Sequence, residues 1–238
     1  MKTLSYFFIF SALFCNTNGF SQNIYFKNVN DSILPKFKDT TNKIIIVNGD
    51  SSLNLKNKFS YALHFYPKME FQSIKIKFKR SQKIVKIKPT FASIFKAPQQ
   101  RTYKIYYSNL TKSTLDSVLL KNLSLNSQIG LIGLQLSRME DFRTGGFFDF
   151  IGWYFKQLSG KAKNKINYDD ELRAIEAGLG HQLLWFSKEN EEKLKIEKWT
   201  NVKGYSNYIK HNKNRSMSPE IISNFVNDQP IYNAQQYK

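Results

Sequence analysis

The sequence has few of the residues and motifs used by most small enzymes and disulfide-stabilised secreted proteins. Its single cysteine is Cys15, and histidine occurs only at His64, His181 and His211. The three histidines are far apart along the chain and in no ligand-like pairing. Neither a glycine-rich phosphate loop nor a nucleophile elbow around a serine occurs. The sequence therefore excludes a disulfide framework and the familiar nucleotide-binding motifs, and it offers no ordinary catalytic constellation.

The first 21 residues have the three regions of a cleavable secretory signal peptide. Lys2 supplies the positive charge, an apolar run covers residues 4–15, and small residues stand one and three positions before a cut at Gln22. The alternative is a membrane anchor, which needs about 20 apolar residues, and this run is shorter. We therefore predict a secreted or periplasmic protein. Its mature chain, residues 22–238, should form one domain without a transmembrane segment.

Positive charge dominates the composition. Lysine and arginine number 36 against 18 aspartate and glutamate, which gives a formal net charge of +18. Such a surface favours nucleic acid, lipid head groups or acidic polysaccharide as a partner. Export makes nucleic acid the least natural of these, and the excess of lysine over arginine indicates diffuse charge rather than forked phosphate recognition. Composition alone favours a solvated basic surface with the partner unknown, and specific binding to an anionic envelope surface or to a protein is the alternative.

Hydrophobic periodicity predicts strands first and helices later, which indicates an α+β fold. Residues 43–47 should form a buried strand followed by a turn. Residues 74–79 alternate between apolar and lysine side chains, and residues 83–88 are predicted to return beside them as a hairpin. Residues 102–108 are predicted to add a third strand beside the two strands of the hairpin. The expectation is an N-terminal antiparallel sheet with a lysine-rich hairpin.

From residue 110 onward the pattern is helical. Gly145 and Gly146 are predicted to form a turn between helices, and Ser218 followed by Pro219 predicts the start of a final helix. The other predicted helices cover residues 111–123, 127–142, 146–158, 167–187 and 189–199.

The predicted hairpin carries a dense group of basic side chains. Strand alternation directs its apolar residues toward a core and its lysines toward water. The candidate anion-binding residues are Lys75, Lys77, Lys79, Arg80, Lys83, Lys86 and Lys88.

Two helical segments are similar to a known family. Residues 128–142 have the sequence QIGLIGLQLSRMEDF, and residues 168–185 have the sequence YDDELRAIEAGLGHQLLW. They resemble two segments of a family of exported bacterial zincin-like proteins, the first of them the family's active-site helix. In that family the first segment has a glycine, His-Glu-x-x-His, two residues and then Asp-Phe or Asp-Tyr. The second has an acidic residue seven positions before Gly-Leu-Gly. The resemblance extends in order over most of the mature chain.

The resemblance implies a zincin fold without zincin chemistry. In the family's motif two histidines and a later carboxylate hold one zinc, and the glutamate polarises the bound water. The matching positions here are Leu134 and Arg138 for the histidines, Gln135 for the glutamate and Glu171 for the carboxylate. Leucine has no donor atom, glutamine cannot take a proton, and a guanidinium repels a cation. These four are vestigial metal-site positions, and no metal or other cofactor is expected.

The loss of the metal implies a replacement interaction. Arg138 and Glu171 occupy positions that converge on one point in the family. We therefore expect a two-pronged hydrogen-bonded pair between them, with Leu134 filling the remaining space. The alternative is that Arg138 extends to solvent and Glu171 lies exposed on its helix, unpaired or paired with Arg173.

Taken together, these features predict an exported, non-catalytic, zincin-like pseudoenzyme that serves as a scaffold or binding protein. One alternative is an active secreted metallohydrolase or peptidase with an atypical site. The other is a cationic module that binds the cell envelope through the lysines of the predicted hairpin.

Overall fold

Four strands form one mixed sheet. The computed structural model describes residues 26–37, 43–48, 53–69, 72–110, 114–156, 159–195 and 217–233. The strands are β1 (Lys43–Val47), β2 (Ser73–Lys79), β3 (Val85–Pro89) and β4 (Thr102–Ser108). Their order in the sheet is β1-β2-β4-β3, with β1 and β4 parallel to β2 and β3 antiparallel to β4. Helices follow the sheet in the chain, and the predicted α+β class is confirmed.

Strand β4 lies between β2 and β3, so the predicted hairpin and the purely antiparallel sheet are wrong. The alternation predicted for each strand is correct, but the partner is not, since both lysine-rich strands pair with β4. The reason lies in the side chains of β4. Tyr103, Ile105 and Tyr107 are fully buried, and a central position gives this apolar row a partner on each side. The shorter strand β3 is left at the edge.

Eight α-helices are assigned within the described ranges. They are α1 (Leu55–His64), α2 (Phe91–Ile94), α3 (Leu125–Thr144), α4 (Phe147–Lys156), α5 (Gly160–Ala174), α6 (Gly180–Leu194), α7 (Pro219–Asp228) and α8 (Pro230–Asn233). The helices predicted near α3, α4 and α7 are confirmed. As expected, the Ser218 hydroxyl caps α7 by accepting a hydrogen bond from the Ile221 amide, and Pro219 is the first helical residue.

Three helix predictions need correction. The described part of residues 111–123 forms two short 3₁₀ turns, Thr114–Val118 and Leu120–Asn122, because Val118, Leu119 and Leu120 are all buried and one face of an α-helix cannot bury three successive residues. Residues 167–187 are interrupted by a π-helical segment, Ile175–Leu179, in which Gly178 has φ 112°. The predicted helix at 189–199 begins inside α6, and its residues 196–199 lie outside the described ranges. Helix α1 was not predicted.

The core lies between one face of the sheet and helices α1 and α3. Ile129, Ile132, Leu136 and Met139 form the buried stripe of α3. A second apolar cluster joins α5, α6 and α7. The predicted signal peptide lies outside the described residues. Within the described ranges, no helix has the length and apolar character needed to cross a membrane.

Candidate functional site

Helix α3 directs two of the vestigial positions toward the next helices. Leu134 and Arg138 are four residues apart and therefore lie on one side of α3. Leu134 packs in the apolar cluster that contains Ala174, Ile175 and Leu183. The position that the resemblance matches to a first histidine is thus used for apolar packing.

Arg138 is bound to helix α5 by a network of short polar contacts. Its Nε donates to Asp170 Oδ2 at 2.7 Å, and its Nη2 lies 2.5 Å from the same oxygen. Nη2 also donates to Asn167 Oδ1 at 2.9 Å. The pair predicted between Arg138 and Glu171 is therefore wrong in its acid: the adjacent residue, Asp170, is the partner. An arginine–carboxylate pair joins α3 and α5, with its acid one residue earlier than predicted.

Glu171 takes part in a different contact. It is 5% exposed, and its Oε2 accepts a hydrogen bond of 2.7 Å from the Met217 amide. This bond links α5 to the residue just before the Ser218 cap of α7. The carboxylate that the resemblance matches to a zinc ligand thus holds a backbone amide, and the contact is structural.

A second arginine extends the clamp. Arg173 lies 3.3 Å from Asp170 Oδ1 and 3.0 Å from Asp141 Oδ1, and it also donates to the Ser137 carbonyl. Burial raises the pKa of Asp170 to about 6, against the lowering effect of Arg138 and Arg173. Desolvation outweighs two guanidinium groups because only 2% of the Asp170 side chain is exposed. The acid is therefore ionised at neutral pH and titrates in the mildly acidic range.

The remaining candidate ligands do not gather around a metal. Gln135 is 5% exposed, and its Oε1 has no hydrogen-bond partner in the part of the chain that is described. His64 packs against Phe37, and His181 packs against Tyr232. Among the described residues, no three histidine, cysteine, aspartate or glutamate side chains form a group that could hold an ion. His211 lies outside the described ranges.

The lysines of β2 and β3 come together through β4, although not as a hairpin. The register aligns Lys75 of β2 with Lys104 of β4, and Lys104 with Lys88 of β3. The next row is Lys77, Tyr106 and Lys86. These side chains point away from the core because the alternate residues of each strand face it. We call the following set the lysine face: Lys75, Lys77, Lys79, Lys86, Lys88, Lys104 and Tyr106.

Tyr106 lies at the centre of the lysine face. The Lys79 Nζ is 4.5 Å from the centroid of its ring, and the Lys88 Nζ is 5.8 Å from it. Both distances are within the range of cation–π attraction. Among the described residues, none of the six lysines forms an ion pair, and no outward-facing position of the four strands carries a carboxylate. Lys79, Lys86 and Lys88 are exposed.

Arg80 and Lys83 lie beyond the end of the sheet. Both are exposed in the connection between β2 and β3. Because β4 separates these strands, the connection passes the end of β4, where the Ser81 amide donates to the Leu110 carbonyl at 3.3 Å. The two residues extend the lysine face at that end of the sheet.

Lys104, Tyr106, Asn167 and Asp170 are among the residues of these sites that were not predicted. Lys104 and Tyr106 alternate with the buried residues of β4, so the sequence pattern already placed them on the outer face. Their position between the other lysines depends on strand order, for which the pattern carries no signal. Asn167 and Asp170 are three residues apart on α5, which puts them on one side of that helix. That spacing does not decide whether Asp170 or Glu171 faces α3.

Comparisons with protein-family models, curated proteins and solved structures give no match to this chain.

Proposed function

We propose that this is an exported, non-catalytic binding protein that uses its lysine face to hold an anionic surface or polymer. The observation that carries the proposal is the register of β2, β4 and β3, which places three lysines in one row and two lysines beside Tyr106 in the next. In this proposal the chain descends from a zincin-like protein, and the ion pair between α3 and α5 stands where that protein held its metal.

The energetics of the lysine face favour an anionic ligand. Side chains opposite each other on neighbouring strands have Cβ atoms about 4.5–5.5 Å apart, and like charges at that separation destabilise a sheet. Lys75, Lys104 and Lys88 are in this situation, and the strands supply no carboxylate to offset it. A bound polyanion would relieve the repulsion, and each lysine near an anionic surface contributes about 1 kcal/mol.

The vestigial positions support the absence of catalysis. Arg138 and Leu134 stand where the resemblance places zinc ligands, and both are used in contacts between helices. A metallohydrolase would need a different set of ligands.

Binding to a soluble polyanion tests the proposal. The variant Lys79→Gln/Lys86→Gln/Lys88→Gln removes three exposed charges from the lysine face. The matched control removes three exposed lysines located elsewhere in the described chain: Lys56→Gln/Lys121→Gln/Lys188→Gln. Both variants have the same net charge.

The two variants should differ strongly. At about 1 kcal/mol per lysine, the lysine-face variant should bind dextran sulfate about 100-fold more weakly than the wild type. The control should retain affinity within about threefold, and the wild-type affinity should fall as salt is added. Equal losses in the two variants would show that binding follows net charge alone, and the proposal would be wrong.

A further inference from the structure

Four phenylalanine rings lie together beyond one end of the sheet. Phe91 begins helix α2 and Phe95 follows its last residue, with ring centroids 6.0 Å apart. Phe95 stacks on Phe147 with centroids 5.1 Å apart, and Phe147 contacts Phe148 at 5.4 Å. Phe91, Phe95 and Phe148 are 80%, 66% and 83% exposed. We call these four residues the phenylalanine patch. Aromatic rings exposed to this degree, and in contact with one another, indicate an interaction site rather than scattered surface residues.

A buried arginine holds the patch together. Arg101 is 2% exposed, and its Nη1 donates to the carbonyls of Phe142 and Gly145 at 2.8 and 3.0 Å. Its Nε donates to the Lys96 carbonyl at 3.3 Å. These bonds join the segment after α2 to the end of α3, next to the start of α4. The rings are therefore presented outward by a fixed backbone.

Helix α4 has apolar residues on its core-facing side and on its exposed side. Trp153 packs edge-on against Phe142 with centroids 4.3 Å apart, which fixes one side of α4 to the core. Phe148 and Phe155 are seven residues apart, and both are exposed at 83% and 63%. Seven residues are about two helical turns, so these rings lie on the same side of the helix. The exposed side of α4 therefore extends the phenylalanine patch.

The phenylalanine patch adjoins the lysine face. Phe91 follows Lys88 by three residues, so their Cα atoms are at most about 11 Å apart. The Thr90 amide donates to the Thr102 carbonyl at 2.7 Å, which fixes this connection against the start of β4, two residues before Lys104. A partner that covers the row of Lys75, Lys104 and Lys88 can therefore reach the patch.

We propose that the partner is an anionic lipid bilayer, into whose interface the phenylalanine patch inserts while the lysine face contacts the head groups. The inference rests on the proposed function, since it assigns the anionic ligand of the lysine face. Exposed aromatic rings beside a basic surface are the two elements of interfacial membrane binding. Helix α4, with ten residues, is about 15 Å long, half the thickness of the hydrocarbon core. It would lie in the interface and not span it.

Charge favours a bilayer over the other occupants. A second copy of the chain would bring another lysine face near the first, against repulsion between two strongly basic chains. An acidic polysaccharide would satisfy the lysines but would leave the phenylalanine rings in water. Of these three occupants, the anionic bilayer is the one that offers negative charge and an apolar interior side by side. Asp149, the acidic residue of α4 next to Phe148, accepts a hydrogen bond from the Gly146 amide at the helix start.

Co-sedimentation with vesicles tests the inference. Vesicles of phosphatidylcholine with about 30% phosphatidylglycerol are compared with pure phosphatidylcholine vesicles, at an ionic strength of about 0.1 M. The test variant is Phe91→Ser/Phe148→Ser, and the control is Leu110→Ser, which removes an apolar side chain that is 44% exposed just beyond the opposite end of β4. Every protein in the comparison is residues 22–238, so the apolar run of residues 4–15 does not contribute to vesicle binding.

We expect the patch variant to bind the anionic vesicles at least about tenfold more weakly than the wild type. It should bind dextran sulfate within about twofold of the wild type, and Leu110→Ser should change neither affinity. Unchanged vesicle binding by the patch variant, an equal loss in Leu110→Ser, or equal wild-type binding to neutral and anionic vesicles would overturn the inference. If dextran sulfate binding were normal in any of those cases, the proposed function would stand. Failure of the wild type to bind either ligand would overturn both.

Discussion

Removing Arg138 isolates the contribution of the buried ion pair between α3 and α5. The substitution Arg138→Met keeps most of the aliphatic volume and removes the guanidinium that contacts Asp170 at 2.5–2.7 Å. The Asp170 side chain, which is 2% exposed, then keeps Arg173 as its remaining described cationic partner, at 3.3 Å. Breaking a buried pair by removing one member costs about 3–5 kcal/mol. Because Arg173 stays in place, we expect about 3 kcal/mol at pH 7.5.

The loss should depend on pH in a defined direction. Burial raises the pKa of Asp170 to about 6, above its ordinary value of 3.8. The unfolded state therefore loses this proton first as the pH rises. The stability that the protonated group contributes is complete below about pH 4 and is lost as the pH rises through about 6. A difference of about two pKa units corresponds to roughly 3 kcal/mol.

Arg138→Met should widen the pH range over which the stability contributed by protonated Asp170 is lost. Arg138 lowers the pKa of Asp170, so its removal raises that pKa further above 6. At pH 4.5 the carboxyl is protonated in both folded proteins, and the deficit of the variant should shrink to about 1 kcal/mol or less. Urea unfolding followed by tryptophan fluorescence at the two pH values measures the difference.

Two further variants complete the test. Asp170→Asn keeps a hydrogen-bonding side chain without the charge, so it should lie within about 1 kcal/mol of the wild type at pH 7.5. The double variant Arg138→Met/Asp170→Asn should recover most of the loss, which gives a coupling energy of about 2 kcal/mol. A deficit for Arg138→Met below about 1 kcal/mol at pH 7.5, or an equal deficit at both pH values, would refute the reasoning.

Four other predictions follow from the structure and the sequence. Arg101→Met should cost about 3 kcal/mol in urea unfolding, because it leaves two carbonyls at the end of α3 without their charged donor; a loss below about 1 kcal/mol would contradict this. Gly130→Ala should destabilise by about 1–3 kcal/mol, since a Cβ there would lie 2.3 Å from the Gln182 carbonyl oxygen, and an unchanged melting temperature would refute it. Mass spectrometry of exported protein should find an N-terminus at Gln22 or within a residue or two of it, and retention of the apolar run would contradict cleavage. The purified protein should hold no stoichiometric zinc at neutral pH, and about one tightly bound equivalent by elemental analysis would contradict the prediction.

Alternation in the strands was predictable, but their partners were not. Two-residue alternation indicates which face of a strand is buried, so the buried apolar residues of β2, β3 and β4 could be assigned from the sequence. The choice of neighbour depends on contacts between residues far apart in the chain. The short connection after β2 favoured a hairpin, and the buried row of Tyr103, Ile105 and Tyr107 outweighed that local preference.

The pair of helices α3 and α5 shows that the sequence could not predict in which direction each side chain of α5 points. Adjacent residues on a helix point about 100° apart, so the choice between Asp170 and Glu171 decides which of two neighbouring elements is contacted. Asp170 faces α3, and Glu171 faces the segment before α7. The resemblance led to the correct pair of helices. It could not set the rotation of α5 about its axis, which depends on packing over the whole second apolar cluster.

Two helical features were missed for different physical reasons. Helix α1 buries Leu55, Phe59, Ala62 and Leu63, and this helical spacing was present in the sequence. The break at Gly178 was not visible in the pattern, because apolar residues continue through Ile175, Leu179 and Leu183 on both sides of it. Only the backbone conformation, with φ 112°, shows why a glycine stands there.

The central place of β4 also sets an order of events during synthesis. When the ribosome has completed β3, the sheet can contain only β1 and β2, because β3 has no partner before residues 102–108 are made. Until then, one edge of β2 and both edges of β3 are open to other chains. Lysine side chains along strand edges oppose intermolecular pairing. The lysines of the proposed binding surface would thus protect the nascent chain from aggregation until β4 closes the gap.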